Sequence, residues 1–224
     1  MNGSNNLLLG AAALMLAGCA LEPRPPEAFP VLVDPQPLVV VAELDAGEYL
    51  PDFPAPPAKP GVVTINLDPP PHWVRAEVVQ TIYGATKVPR VLYAGTTSHW
   101  GPQPMSPQPQ LAFFLTDGRQ YILRRYGYKR LLSRLDGSLL LPIWDKQVSP
   151  WLPCSVLELR EEFDSGQVQE TPKTRGADYL PAVERPDLFR AVPGGFLPRY
   201  AIDVRKLASY LQANPPPVKG VKCE

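Results

Sequence analysis

From residue 72 onward the chain is built of short apolar runs with a period of two, broken by Gly, Pro and Asp-Gly. This is the pattern of half-buried strands. Val74, Ala76, Val78 and Ile82 alternate with Arg75, Glu77 and Thr81, and Gly84 closes that strand. Arg90 to Ala94 predicts a second strand ended by Gly95, and the four prolines between Gly101 and Pro109 exclude a regular element there. Leu111–Thr116 and Arg119–Tyr126 flank Asp117-Gly118, a two-residue hairpin signal. That turn sets Thr116, Phe114 and Ala112 opposite Arg119, Tyr121 and Leu123 on one face. The other face sets Leu115, Phe113 and Leu111 opposite Gln120, Ile122 and Arg124. Both faces carry apolar residues, so the hairpin is expected to be covered on each side. A second turn, Asp136-Gly137, separates Leu131–Leu135 from Ser138–Ile143. Ser155–Phe163 could be a strand or a short helix, since Val156, Leu157, Leu159 and Phe163 fit neither period cleanly, and residues 167–200 read as irregular. The chain ends in a helix: Asp203 can cap it, Val204, Leu207, Tyr210 and Leu211 share one face, and Asn214 with Pro215–Pro217 stop it. The sum is a mainly β (α+β) fold, a small barrel or sandwich of about five to seven strands with a C-terminal helix.

The N-terminal pattern differs. Leu7 to Leu16 is an unbroken run of Leu, Ala, Met and Gly, and extending it to Leu21 gives fifteen residues, short of the ~20 a spanning helix needs. One reading is a short buried helix capped by Asn or Ser; the other is a targeting segment. The run ends in Leu16-Ala17-Gly18-Cys19, which resembles the lipobox of bacterial lipoproteins. That resemblance implies cleavage before Cys19, a diacylglycerol on its thiol and a third acyl chain on its new amine. It further implies attachment to the bacterial envelope. Because Ala20 is not acidic, it implies the outer membrane facing the periplasm in a two-membrane host. One acyl chain holds a protein only marginally, whereas two or three make attachment effectively permanent.

Between anchor and strands lies a proline-rich, acidic stretch. Of the 30 prolines in 224 residues, fourteen fall between Pro23 and Pro71. Glu22, Glu27, Asp34, Glu43, Asp45, Glu48 and Asp52 face Arg24 and Lys59. The expected organisation is a signal peptide over 1–18, a lipidated tether over 19–71 and a globular domain over 72–224. The 39 residues from Glu22 to Pro60 would reach at most ~120 Å as polyproline-like chain. Within the tether, Leu38–Ala42 and Val62–Leu67 have strand composition and could dock on the domain. The order of strands, turns and Pro-rich loop in the globular part is similar to small secreted OB-like barrels, by pattern alone; a β-sandwich fits nearly as well.

Charge and chemistry narrow the function classes. Lys and Arg number 22 and Asp and Glu 22, so bulk charge gives no argument for nucleic-acid affinity. Two histidines and three cysteines, none at finger or zincin spacing, do not make a metal set. Gly194-Gly195 stands alone, so no phosphate-binding loop implies a cofactor. Cys154 and Cys223 remain once Cys19 is acylated, and in an oxidising compartment such a pair is expected to form a disulfide, a free Cys223 being the alternative. Thr96-Thr97-Ser98-His99-Trp100 places His99 beside hydroxyls with no acid near it in sequence, a weak catalytic candidate that loop chemistry also explains.

The conspicuous cluster is Arg124, Arg125, Tyr126, Tyr128, Lys129 and Arg130, flanked by Arg119 and Arg134. Arg and Tyr are common interface anchors, so the cluster could contact an acidic partner. It could equally be a solvated corner paired with Glu158, Glu161, Glu162 and Asp164. Three function classes follow: a non-enzymatic lipoprotein docking an envelope protein, as part of a secretion or assembly machine or as a toxin-immunity protein; an envelope hydrolase using His99 on peptidoglycan or lipid; and a purely structural envelope protein.

Overall fold

The computed structural model describes residues 28–50, 71–97, 108–169, 185–193 and 195–223. Five strands close into a barrel: β1 (Gln36–Tyr49), β2 (His72–Tyr83), β3 (Val91–Thr96), β4 (Gln110–Thr116) and β5 (Tyr121–Arg130), in the order β1-β2-β3-β5-β4. All ladders are antiparallel except β3 with β5, a parallel seam carried by Ala94↔Tyr121 and Gly95↔Ile122. Of the two architectures compatible with the sequence, the protein has the barrel.

A four-stranded sheet packs outside it, in the order β6 (Leu132–Ser133), β7 (Leu139–Pro142), β11 (Tyr200–Asp203) and β8 (Glu161–Glu162). A separate hairpin pairs β9 (Phe189–Val192) with β10 (Gly195–Pro198). Helix α1 (Val204–Ala213) follows β11 directly. The stretch 167–200 read as irregular thus supplies two strands and leads into a third. They escape periodicity because each is four residues long and Gly195 and Pro198 interrupt the pattern. The ambiguous Ser155–Phe163 resolves into a 3-10 turn over Cys154–Leu159 and the two residues of β8.

Two apolar layers share β1 and β4. Leu38, Val40, Leu44, Val74, Leu92, Phe114 and Leu123 fill the barrel. Val39, Val41, Leu111 and Phe113 point outward and meet Leu141, Ile202, Leu207 and Leu211 from the outer sheet and α1. Both faces of these strands are therefore dry, which is why Leu38–Ala42 and Leu111–Leu115 read as continuous apolar runs. Each fully buried Phe or Leu contributes about 1.5–3 kcal/mol.

The helix starts where its sequence says it should. The Asp203 carboxylate accepts the Arg205 backbone N–H at 2.8 Å and caps the first turn. Val204, Leu207 and Leu211 are buried, Asn214 is the C-cap and Pro215–Pro217 prevent continuation.

The folded body begins well before His72. Leu38–Ala42 lies inside the 14-residue β1, which pairs with both β2 and β4. Upstream of it, Phe29 and Pro30 pack over Gly95, where a Cβ would lie 2.6 Å from Pro30 Cδ. The Val31 N–H donates to Gln120 Oε1 at 3.0 Å. Downstream, the Leu50 N–H donates to Pro71 O at 3.1 Å, which sets the end of β1 beside the start of β2. Residues 28–50 of the Pro-rich stretch therefore belong to the folded body rather than to a tether. The strand-like Val62–Leu67 lies outside the described residues.

Candidate docking face

The basic-aromatic cluster sits on an irregularity of β5. Thr116↔Tyr121, Leu115↔Ile122 and Phe114↔Leu123 pair in register, but Ala112 pairs with Tyr128, so residues 124–127 of β5 face Phe113 alone. Tyr126 takes φ +54°, and a Cβ on Gly127 would lie 2.4 Å from Arg124 O. Only glycine allows that approach, and a glycine inside a strand commonly marks such a bulge.

The bulge sorts the side chains. Arg125, Tyr126, Tyr128 and Arg130 are exposed, with Tyr126 at 53% and Tyr128 at 38%. The Arg125 guanidinium stacks 5.4 Å from the Tyr126 ring centre. Lys129 is half-buried; burial pushes its amine below the ordinary lysine value, with Asp145 acting against the shift.

Arg124 points inward and is only 5% exposed, so it belongs to the interior rather than to the face. Its guanidinium lies 4.6 Å from the Trp151 ring centre, and its Nη1 donates to Pro217 O at 2.8 Å. Burial lowers its pKa to about 10, so it stays charged at neutral pH. The Trp151 Nε1–H donates back to Arg125 O at 3.0 Å. Nothing in the local sequence links Arg124 to Trp151; the one available signal is Gly127.

Behind Trp151 runs the C-terminal tail. The Val221 N–H donates to Pro150 O at 2.9 Å, Gln147 Nε2 donates to Val221 O at 2.6 Å, and Cys223 is disulfide-bonded to Cys154 with a Cα–Cα distance of 5.5 Å. Closing a loop of 69 residues stabilises by about 4 kcal/mol in the chain-entropy account.

Of the acidic stretch expected to pair with the cluster, Glu161 reaches its flank, lying 3.9 Å from Arg134 Nη2, and also pairs with Lys206. Arg134 also reaches the buried Asp203 at 3.3 Å. Asp164 accepts the Gly166 N–H within its own turn.

Two clefts flank the barrel. One of about 260 Å³ lies beside Arg130 and mixes polar Gln108, Ser133 and Gln169 with apolar Pro109, Leu131 and Leu132. The other, of about 560 Å³, lies at the far end between Asp34, Tyr83, Thr116, Asp117 and Gln212. Asp117 is not a free acid there. The Gln120 and Arg119 backbone N–H groups donate to it at 2.9 Å and hold its carboxyl below the usual value.

Cys19 and His99 lie outside the described residues. Among the described residues, no group of three His, Cys, Asp or Glu is placed to hold a metal ion, and no helix is long and apolar enough to cross a membrane. No family model, curated protein or solved structure matches the chain.

Proposed function

We propose that this protein is a bacterial envelope lipoprotein that acts as a non-enzymatic docking module, holding an OB-like barrel against a protein partner at the membrane surface. What carries this reading is the strip Arg125, Tyr126, Tyr128 and Arg130, which a bulge turns outward on a barrel stapled at its C-terminus. Interfaces favour this composition, because Arg and Tyr combine apolar area with directional hydrogen bonds.

The anchor supports the same reading through the Leu16-Ala17-Gly18-Cys19 motif. Phe29 and Pro30 are docked on the barrel, so only eight residues separate Cys19 from Ala28. At full extension they reach about 30 Å. A partner on this module would therefore meet it close to the lipid surface, and the role suits an accessory piece of an envelope assembly or an immunity protein.

A photo-crosslinking amino acid at Tyr126 or Tyr128 in the anchored protein tests this, with Val79, an exposed apolar residue of β2, as control. The reading expects the same envelope protein to be captured from both tyrosine positions and not from Val79. Equal capture from all three would refute a docking strip on β5.

A further inference from the structure

We propose that the Arg124 guanidinium is a recognition site for a carboxylate of an acidic peptide, that the chain's own C-terminal tail covers this site, and that the Cys154–Cys223 disulfide is the latch on the cover.

The site is built before any ligand arrives. Arg124 is a buried residue, and its Nε and Nη2, shielded from solvent, have no hydrogen-bond partner among the described residues. Together these two atoms form the side-on fork of the guanidinium, whose parallel N–H bonds match the two oxygens of a carboxylate. Trp151 occupies the flat face of the cation, and Pro217 O takes only Nη1. The edge left over is the one that recognises a planar anion. Buried donors without acceptors are rare and costly in native proteins, and a missing ligand is a standard reason for them. Trp151 is itself held by Arg125 O. Cation and aromatic platform are thus preorganised, and the exposed Arg125 and Tyr126 adjoin them on β5. The exposed Arg125 and Tyr126 beside the fork offer a peptide chain contacts that a bare inorganic ion would not use.

The cover is weakly held apart from its covalent tie. Past Asn214 the tail forms no helix or strand, and most of its residues are exposed. Its polar attachments are Pro217 O to Arg124, Val221 O to Gln147 and Val221 N to Pro150, and Gly220 passes against the Trp151 ring. A segment with so few buried contacts opens locally once it is untied.

Cys154 is exposed, so a thiolate can reach the bond. A dithiol reductant would open it in two steps. The first thiolate attacks one cysteine sulfur, forming a mixed disulfide and releasing the other cysteine as a thiol. The second thiolate then resolves the mixed disulfide. Two electrons pass to the cystine, the protein gains two thiols, and the reductant leaves as a disulfide. The freed tail takes Pro217 O away from Nη1 and uncovers the fork.

The inference goes beyond the anchoring reading and stands without it. The test uses the full chain with a fluorescein-labelled hexaglutamate peptide as probe, before and after treatment with dithiothreitol. Reduction is expected to tighten binding at least tenfold. Arg124→Gln in the reduced protein should return binding to the oxidised level, and Arg124→Lys should not restore it. Equal binding by oxidised and reduced protein, or tight binding by reduced Arg124→Gln, would overturn the proposal.

Hydrogen exchange on the unsubstituted protein keeps the latch testable even where a variant folds poorly. Reduction should speed exchange at the Val221 amide at least tenfold while the Val40 amide in β1 stays protected. An unchanged Val221 amide, or loss of protection at both, would equally overturn it.

Discussion

Asp203 shows how one side chain can carry several structural duties. It caps α1 through the Arg205 N–H and binds the Arg205 guanidinium at 2.9 Å and Arg134 at 3.3 Å, all from a buried position. The hydrogen bonds from Arg205, with the charge of Arg134 adding to them, hold its carboxyl below the usual value against the opposing effect of burial. A depressed carboxylate stabilises the fold above its unfolded value of about 3.9, and that stabilisation disappears as pH falls through the folded value. Asp203→Ala is expected to cost about 1–2 kcal/mol from the lost cap, with more from the stranded Arg134. Asp203→Asn keeps the cap and should cost less. In urea unfolding, the gap between the unsubstituted protein and Asp203→Asn should hold steady from pH 7 to pH 5 and narrow below pH 4. A gap that widened on acidification would contradict this account.

Gly127 is the second residue on which local structure depends. Any Cβ there meets the Arg124 carbonyl at 2.4 Å, and that neighbour is backbone, unable to swing aside. Gly127→Ala is therefore expected to destabilise by about 2–4 kcal/mol. It should also disturb the Trp151 environment, which thermal unfolding and tryptophan fluorescence would register together. Gly118→Ala, by contrast, meets nothing within 4 Å, and only its φ of +88° opposes it.

At the scale of elements, the β4–β5 hairpin shows what a lone sequence can reveal. The turn was legible from Asp117-Gly118, and the sorting of faces survived: Ala112, Phe114 and Leu123 do line the barrel. The register is offset by two residues, with Thr116 opposite Tyr121 rather than Arg119, because the loop spans four residues. The cause is Asp117, whose carboxylate collects the Arg119 and Gln120 N–H groups and keeps both out of the ladder. A slip of two preserves faces because the side-chain period is two.

Helix α1 and its caps were legible because those signals are local. The Cys154–Cys223 bond was legible because few cysteines were available to pair. The inward turn of Arg124 was not, since it depends on Trp151 and a tail 93 residues away. The strand character of Leu38–Ala42 and its docking on the domain were legible in part, but not its place as a closing barrel strand between β2 and β4, because its apolar run lies amid prolines.

The N-terminal segment yields a prediction at this same scale. Phe29 and Pro30 cross the barrel wall beside its parallel seam, and only a glycine at position 95 leaves room for them. Gly95→Ala should lift residues 28–31 from the wall. Hydrogen exchange would show the Val31 amide losing protection while β1 keeps it. Retained protection at Val31 would mean that the segment is held elsewhere.

At the scale of the whole molecule, the proposed anchor would hold the barrel on a short connection. If Cys19 carries the lipid, the docked Phe29–Pro30 would leave at most about 30 Å of chain between lipid and fold, and the β5 strip would work close to the bilayer. That geometry depends on Cys19 being acylated. Mass spectrometry of the N-terminal peptide, recovered from membranes of cells expressing the full chain, tests it most directly. The account predicts a peptide beginning at Cys19, heavier by a diacylglycerol and, where the third chain is added, by one further acyl group. A peptide that still begins at Met1 with an unmodified Cys19, recovered from the soluble fraction, would contradict it.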